Sequence, residues 1–392
     1  MTRALRIGVN ALYLIPGGVG GTEIYLRNLL AALAEADPDD EYLVFVNQET
    51  LEAELPLAPA QPNWRTIPCP VRAVSRPRRL FWEQTKLPAE AARCRLDVLF
   101  SPGFTSPLVC RVPKVTVIHD LQHKRQPENF GRLELLAWEA SVWGSARYSR
   151  EIVTVSENSR RDIVAAYGVA PERVHVIRHG VERELFEPAG PERPEPWPYL
   201  LSVSTIHPHK NWGRWLQAYR RMVGAGAPQH LVIAGLKGSY SQELERVIEA
   251  QGLRERVHPT GWIPRPRLRE LLKHADALVF PSTFEGFGMP VMEALAAGVP
   301  VACSDIAPLR EIAAGAAVLF DPASVESIAE AVSRLLSDAP IRTRLVEEGR
   351  RRAAEFTWDR AARETLEVLR GAAAACLPGR DSSRASGSRA PR

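Results

Sequence analysis

Short apolar, β-rich runs alternate with helical spacing along most of the chain. RIGVNAL leads into EIYLRNLLAALAEA, whose apolar residues recur at helical spacing, and EYLVFVN, DVLFSP, KVTVIHD and EIVTVSE follow as further strands. The strand runs are apolar at consecutive positions. That marks strands covered on both faces, as in a parallel sheet flanked by helices. The alternation breaks at FEPAGPERPEPWP (186–198), where five prolines exclude helix and central strand and predict a linker. It resumes with YLLSVS, HLVIAG, RVHPTG, ALVFPS, VPVACS and AAVLFD. The pattern predicts an α/β protein of two doubly wound domains, residues 1–185 and 199–355, with a cleft between them. Such sheets bind ligands at the carboxyl ends of their strands.

Composition narrows the classes. The 392 residues are 45% hydrophobic and 24% charged, which suits a two-domain globular protein. Of the net charge of +4, three units belong to the last sixteen residues, so charge gives no case for nucleic-acid binding. That tail (377–392), rich in Ser, Arg, Gly and Pro, is expected to be disordered. Cys69, Cys94, Cys110, Cys303 and Cys376 have no C-x-x-C spacing and are read as reduced thiols of a cytoplasmic protein. The opening MTRALRIGVNALYL is read as entering a strand directly, without a signal segment. No apolar run approaches the roughly 18–20 residues that span a bilayer.

The chemistry concentrates in FPSTFEGFGMPVMEALAAGVPVACSD (280–305). ALVFPS reads as a strand and MPVMEALAAG as a helix with Pro290 in its first turn. The glycines of TFEGFG let backbone N–H groups approach an anion or a sugar hydroxyl. Glu285 in the loop and Glu293 early in the helix can face one bound molecule and accept from its vicinal hydroxyls. Read alone, Glu293 as a charge near a helix N-terminus and Glu285 as a solvated loop residue remain open. HDLQH lacks the spacing of a zinc helix. DPDD (37–40) is read as a solvated turn, and His207 and His209 as polar loop residues. Arg72, Arg76, Arg78 and Arg79 form a basic cluster, read as a solvated loop or as a weak peripheral contact with anionic lipid at the inner face of a cell membrane.

With Glu285 and Glu293 in E-x7-E spacing, the chain resembles the retaining glycosyltransferases of family 4, which have the GT-B fold of two Rossmann-like domains. GGVGGTEIYLRNLL, VTVIHD, VTVSENSRRDI, VHVIRHGV, SVSTIHPHKN, TGWIP and FTWDRAA extend the resemblance over nearly the whole chain in the family's order. The resemblance implies that residues 356–376 form a helix crossing back to the first domain. It also implies that Glu293 holds the ribose of a nucleotide donor and Glu285 the hydroxyls of its sugar. Gly286, Phe287 and Gly288 would line sugar and phosphates, Lys210 would neutralise the diphosphate, and Gly20 and Gly21 would face the β-phosphate. Trp262 and Ile263 would meet the base, and His119 would stand near the reacting carbon. Where many members have an arginine, this chain has Thr205, which leaves Lys210 as the main cation.

The implied activity is metal-independent sugar transfer from a nucleotide-diphosphate donor, with mannose and GDP favoured, to a glycan or lipid-linked acceptor in cell-surface polysaccharide synthesis. No cofactor is expected. A nucleotide-sugar 2-epimerase, or a non-catalytic nucleotide-sugar-binding protein, remains an alternative at this point.

Overall fold

The computed structural model of the chain describes residues 3–53 and 56–375; the expected disordered tail and Cys376 lie outside them. The first sheet contains β1 (Arg6–Asn10), β2 (Glu41–Val46), β3 (Trp64–Pro68), β4 (Val98–Ser101), β5 (Lys114–Val117), β6 (Glu151–Thr154) and β7 (Val174–Val176). The second contains β8 (Tyr199–Val203), β9 (His230–Ala234), β10 (Val257–Gly261), β11 (Ala277–Phe280), β12 (Val301–Ser304) and β13 (Val318–Phe320). Their orders are β3-β2-β1-β4-β5-β6-β7 and β10-β9-β8-β11-β12-β13. Every pairing is parallel. Strand order reverses between β1 and β4 in one sheet and between β8 and β11 in the other, so each has the crevice that doubly wound sheets use for ligands.

The central strands are buried along their whole length: Val98–Ser101, Ala277–Phe280 and Val301–Ser304 have no exposed residue. Residues 186–198 contain no helix or strand. The helix Trp358–Ala374 returns to the first sheet, where Trp358, Ala362, Leu366 and Leu369 share a core with Tyr25, Leu26, Leu29 and Val98. Those positions repeat at helical spacing, and each large apolar side chain buried contributes about 1.5–3 kcal/mol.

Two readings of charged segments are corrected. DPDD is not a solvated turn. Asp37 and Asp40 are 1% and 4% exposed, and Arg370 of the returning helix reaches both at 3.0 Å. Tyr42 Oη donates to Asp37 at 2.7 Å and the Leu5 N–H to Asp40 at 2.8 Å, so the pair anchors that helix. The arginine cluster is also divided. Arg79 is buried, 3.5 Å from Glu83, while Arg72 pairs with Glu52 and Arg76 with Glu134. Only Arg78 of the four is exposed with no ion-pair partner among the described residues.

Candidate active site

Loops at the carboxyl ends of four strands meet across the cleft. From the first sheet come the turn after β1 that ends at Gly20 and Gly21, and His119 and Asp120 after β5. From the second come Thr205 and Lys210 after β8, and the 281–288 loop after β11. The two walls touch. A Cβ on Gly20 would lie 3.6 Å from Thr205 Oγ1, and one on Gly21 3.8 Å from Met289 Sδ. Gln122 Nε2 and His209 Nδ1 are 2.9 Å apart, Gln126 donates to Thr283 Oγ1 at 3.2 Å, and Arg178 pairs with Glu311 at 2.8 Å. His209 is therefore a contact between the walls and not only a polar loop residue.

The glycines of the loop serve two different needs. Gly288 caps the helix Met289–Ala297 with φ 104°, a conformation that side chains other than glycine resist. Gly286 has no such φ. It lies against the opposite wall, where a Cβ would stand 2.7 Å from the His119 carbonyl oxygen and 3.0 Å from Asp120 Cβ. The missing side chain thus lets the two domains approach.

Each signature carboxylate already faces a cation. Lys210 Nζ donates to Glu285 Oε1 at 2.5 Å, with both side chains 13% exposed. Glu293, 7% exposed, accepts from Arg265 Nη2 at 2.7 Å. Arg265 also reaches Glu182 at 3.0 Å. Burial works against the charge on Arg265, yet Glu293 and Glu182 hold its affinity for the proton above the ordinary range. Glu285 and Glu293 hence occupy separate ion pairs, and the Glu182–Arg265–Glu293 chain fixes the start of the Met289–Ala297 helix.

His119 is buried, and its Nε2 lies 3.1 Å from the Pro102 carbonyl. A carbonyl only accepts, so Nε2 carries the proton and Nδ1 remains an acceptor. Burial lowers the imidazole to about 4, which keeps it neutral near pH 7. Burial raises Asp120 to about 6; the Gln122 N–H works in the opposite direction, and the charge of Glu285 adds to the rise. His179 stands with its ring centroid 4.9 Å from Phe287 and 5.7 Å from His119, and neither of its ring nitrogens has a hydrogen-bond partner among the described residues. Burial first, then the neighbouring His119, holds it neutral.

Phe287 is buried against His179, whereas Trp262 is exposed and Ile263 packs on the second core. Trp262 and Ile263 follow β10, which is separated by β9 from β8, the strand that leads to Thr205 and Lys210. Sequence reasoning missed Arg265, Asp120 and His179. VTVIHD and VHVIRHGV contained Asp120 and His179, but nothing local marked either as part of a wall between domains.

Comparison with known proteins agrees with this architecture. The family model Glycosyltransferase Family 4 matches residues 19–185, and the model Glycosyl transferases group 1 matches residues 184–352. An Escherichia coli protein named O-antigen chain mannosyltransferase B is 28% identical over 65% of this chain and 70% of its own length. A Mycolicibacterium hassiacum protein named MMP alpha-(1->4)-mannosyltransferase is 32% identical over 58% of this chain and 56% of its own. Among solved structures, sucrose-phosphate synthase from Thermosynechococcus elongatus superposes with a TM-score of 0.78 at 19% identity, covering 95% of this chain and all (100%) of that one. Anabaena HepE, solved with UDP and glucose, gives 0.73 at 18%, covering 94% and 100%. At those identities the structures speak to the fold alone. With two family models tiling the chain from one domain to the next over a GT-B architecture, the chain belongs to the glycosyltransferases of family 4, its second half being their group 1 domain.

Proposed function

We propose that the chain transfers a mannosyl group from GDP-mannose, with retention of configuration, to a hydroxyl of a cell-surface glycan or its lipid-linked precursor. The observation that carries the reading is the Lys210–Glu285 pair at the glycine loop, whose next residue, Gly286, lies against His119 and Asp120 of the other wall. A diphosphate in the cleft would take Lys210 as its counter-charge and leave Glu285 to accept from the hydroxyls of the sugar. Glu293, already fixed by Arg265, would receive the ribose hydroxyls. The N–H groups of Gly286, Phe287 and Gly288, and those of Gly20 and Gly21, would line the phosphates with Thr205 as a neutral donor. Trp262 and Ile263 would border the base.

The neutral His119 offers Nδ1 as an acceptor, which suits a sugar hydroxyl near the reacting carbon. Positioning and charge stabilisation then account for the chain's part in catalysis, with the leaving phosphate taking the acceptor's proton. Mannose is favoured by the names of the two curated relatives, and a glycan acceptor by the E. coli relative.

Titration calorimetry with GDP-mannose, UDP-glucose and GDP tests the donor. GDP-mannose is expected to bind, and Glu293→Gln to weaken it by about tenfold or more, as loss of a charge-assisted hydrogen bond implies. GDP release that requires an acceptor, and that persists in excess chelator, completes the test. Binding of UDP-glucose but not GDP-mannose would overturn the mannosyl assignment. Conversion of the donor without any acceptor would overturn transfer itself.

A further inference from the structure

Large apolar side chains are exposed on one side of the first domain. Of the ten large hydrophobics exposed among the described residues, seven (Phe81, Leu108, Val109, Leu133, Leu136, Trp143 and Tyr148) belong to the helices Arg76–Thr85 and Arg132–Tyr148 and the loop after β4. Val109 and Leu133 are each 84% exposed. On the longer helix Leu133, Leu136, Ala140, Trp143 and Arg147 are all exposed and recur at intervals of three and four, which makes a continuous stripe. The opposite side of that helix packs inward through Val142, Ser145 and Ala146. The helix is therefore apolar on two faces, only one of which the fold covers.

The three segments form one surface. Arg76 of the shorter helix pairs with Glu134 and lies 5.0 Å from the Trp138 ring. At the other end of that helix, Gln84 accepts from the Leu108 N–H at 2.8 Å, and Leu108 rests on Gly144, where a Cβ would meet Leu108 Cδ2 at 2.5 Å. Trp143 and Tyr148 stand edge to face with centroids 6.3 Å apart.

The charges around this surface are mainly basic. Arg78, Arg111, Arg132 and Arg147 are exposed and have no ion-pair partner among the described residues, while Glu134, on the same helix, is taken by Arg76. Beside Tyr148 a hollow of about 630 Å³ is lined by Arg111, Lys114, Arg147, Arg150 and Arg173, with Glu151 its one acid, 3.8 Å from Arg150. A second copy of the chain is a poor occupant. Two such helices packed antiparallel would bring Arg132 of one to the Arg147 end of the other, and packed parallel would bring like to like, with Glu128, near the Arg132 end, an exposed acid that has no ion-pair partner among the described residues.

We infer that this face docks on an anionic bilayer. Phe81, Leu136, Trp143 and Tyr148 enter the headgroup region, and the four unpaired arginines meet lipid phosphates. Aromatic residues beside apolar stripes suit that interface, and each basic residue near an anionic surface adds attraction that salt screens. The surface differs from the arginine cluster considered from sequence, sharing only Arg78 as a free cation.

Co-sedimentation of the full chain with vesicles tests this, using equal parts phosphatidylglycerol and phosphatidylcholine against phosphatidylcholine alone. Binding to the anionic vesicles, weakened by added salt, is expected. The double variant Leu136→Glu, Trp143→Glu should lose at least tenfold in vesicle affinity with an unchanged melting temperature, because both side chains are exposed. Arg111→Glu with Arg147→Glu should do the same. Failure of the wild type to bind anionic vesicles, or wild-type binding by both double variants, overturns the proposal. So does a wild-type dimer that Leu136→Glu, Trp143→Glu converts to monomer in light scattering, since the face would then belong to a second copy.

Discussion

Gly286→Ala should impair turnover far more than folding. The added Cβ would stand 2.7 Å from the His119 carbonyl oxygen, 3.0 Å from Asp120 Cβ and 3.3 Å from Asp120 Oδ2. Carbon meets a carbonyl oxygen comfortably from about 3.3 Å, so the opposing wall must retreat by roughly 0.6 Å. Overpacking of this kind costs about 1–3 kcal/mol. The atoms it strikes belong to the other domain, so opening the cleft relieves the strain without disturbing either core. The cost should therefore fall on closure, lowering kcat/KM by roughly 5- to 150-fold at about 1.4 kcal/mol per tenfold. Steady-state kinetics and a thermal melt on the same preparation provide the measurement. Wild-type kcat/KM would show that turnover does not need this approach of the walls. A melting temperature lowered by many degrees with normal turnover would show that the contact belongs to the rigid fold.

Other consequences follow from the same geometry. Arg370→Met should destabilise the chain by about 2 kcal/mol, because it leaves Asp37 and Asp40 buried without their cation; an unchanged urea midpoint would refute this. His119→Ala should lower kcat by about 100-fold, roughly 2.7 kcal/mol, with little change in donor affinity; equal losses in both would make His119 a binding residue. Asp120, raised to about 6 by burial, gives stability that is present below its unfolded value of 3.8 and lost as pH rises through about 6. His119, lowered to about 4, acts in the opposite sense, since acid below its unfolded 6.5 favours the unfolded chain. Asp120→Asn should accordingly make the loss of melting temperature between pH 6 and pH 4 steeper than in the wild type; a shallower loss would contradict the burial assigned to Asp120.

The central strands were legible because burial on both faces requires unbroken apolar runs, as in LVFV of β2 and ALVF of β11. The outermost strands of the first sheet were not read as strands. β3 (WRTIP) is half exposed and ends in proline, and β7 (VHV) has three residues, so neither carries a run long enough to register. The same distinction governs the site. Glu285, Lys210 and His119 stand where a strand gives way to a loop, a place that sequence can locate. Arg265 opens a helix whose charges read as a solvated face, and its partner Glu293 lies 28 residues away. DPDD was misread for the same reason, since the arginine that buries it is 333 residues from Asp37. Long-range neutralisation leaves no local pattern, and each of these errors arose from it.

That neutralisation also bears on how one site can hold a polyanion and still present two carboxylates to it. Lys210 and Arg265 match Glu285 and Glu293 one for one, and Arg269, 3.3 Å from Glu182, balances that third carboxylate. A diphosphate approaching such a surface would gain little if every pair stayed intact. The two pairs differ, however, in how firmly they are held. Arg265 is shared by two carboxylates, so Glu293 stays fixed. Lys210 has one carboxylate partner and rests 5.4 Å from the face of Phe280, which leaves its ammonium able to turn from Glu285 to a phosphate oxygen. The exchange would release a cation for the diphosphate and an acceptor for the sugar in a single movement. On the proposed reading, recognition of the sugar is thereby coupled to arrival of the phosphates, and a free sugar, which offers Lys210 no new partner, would find Glu285 still occupied.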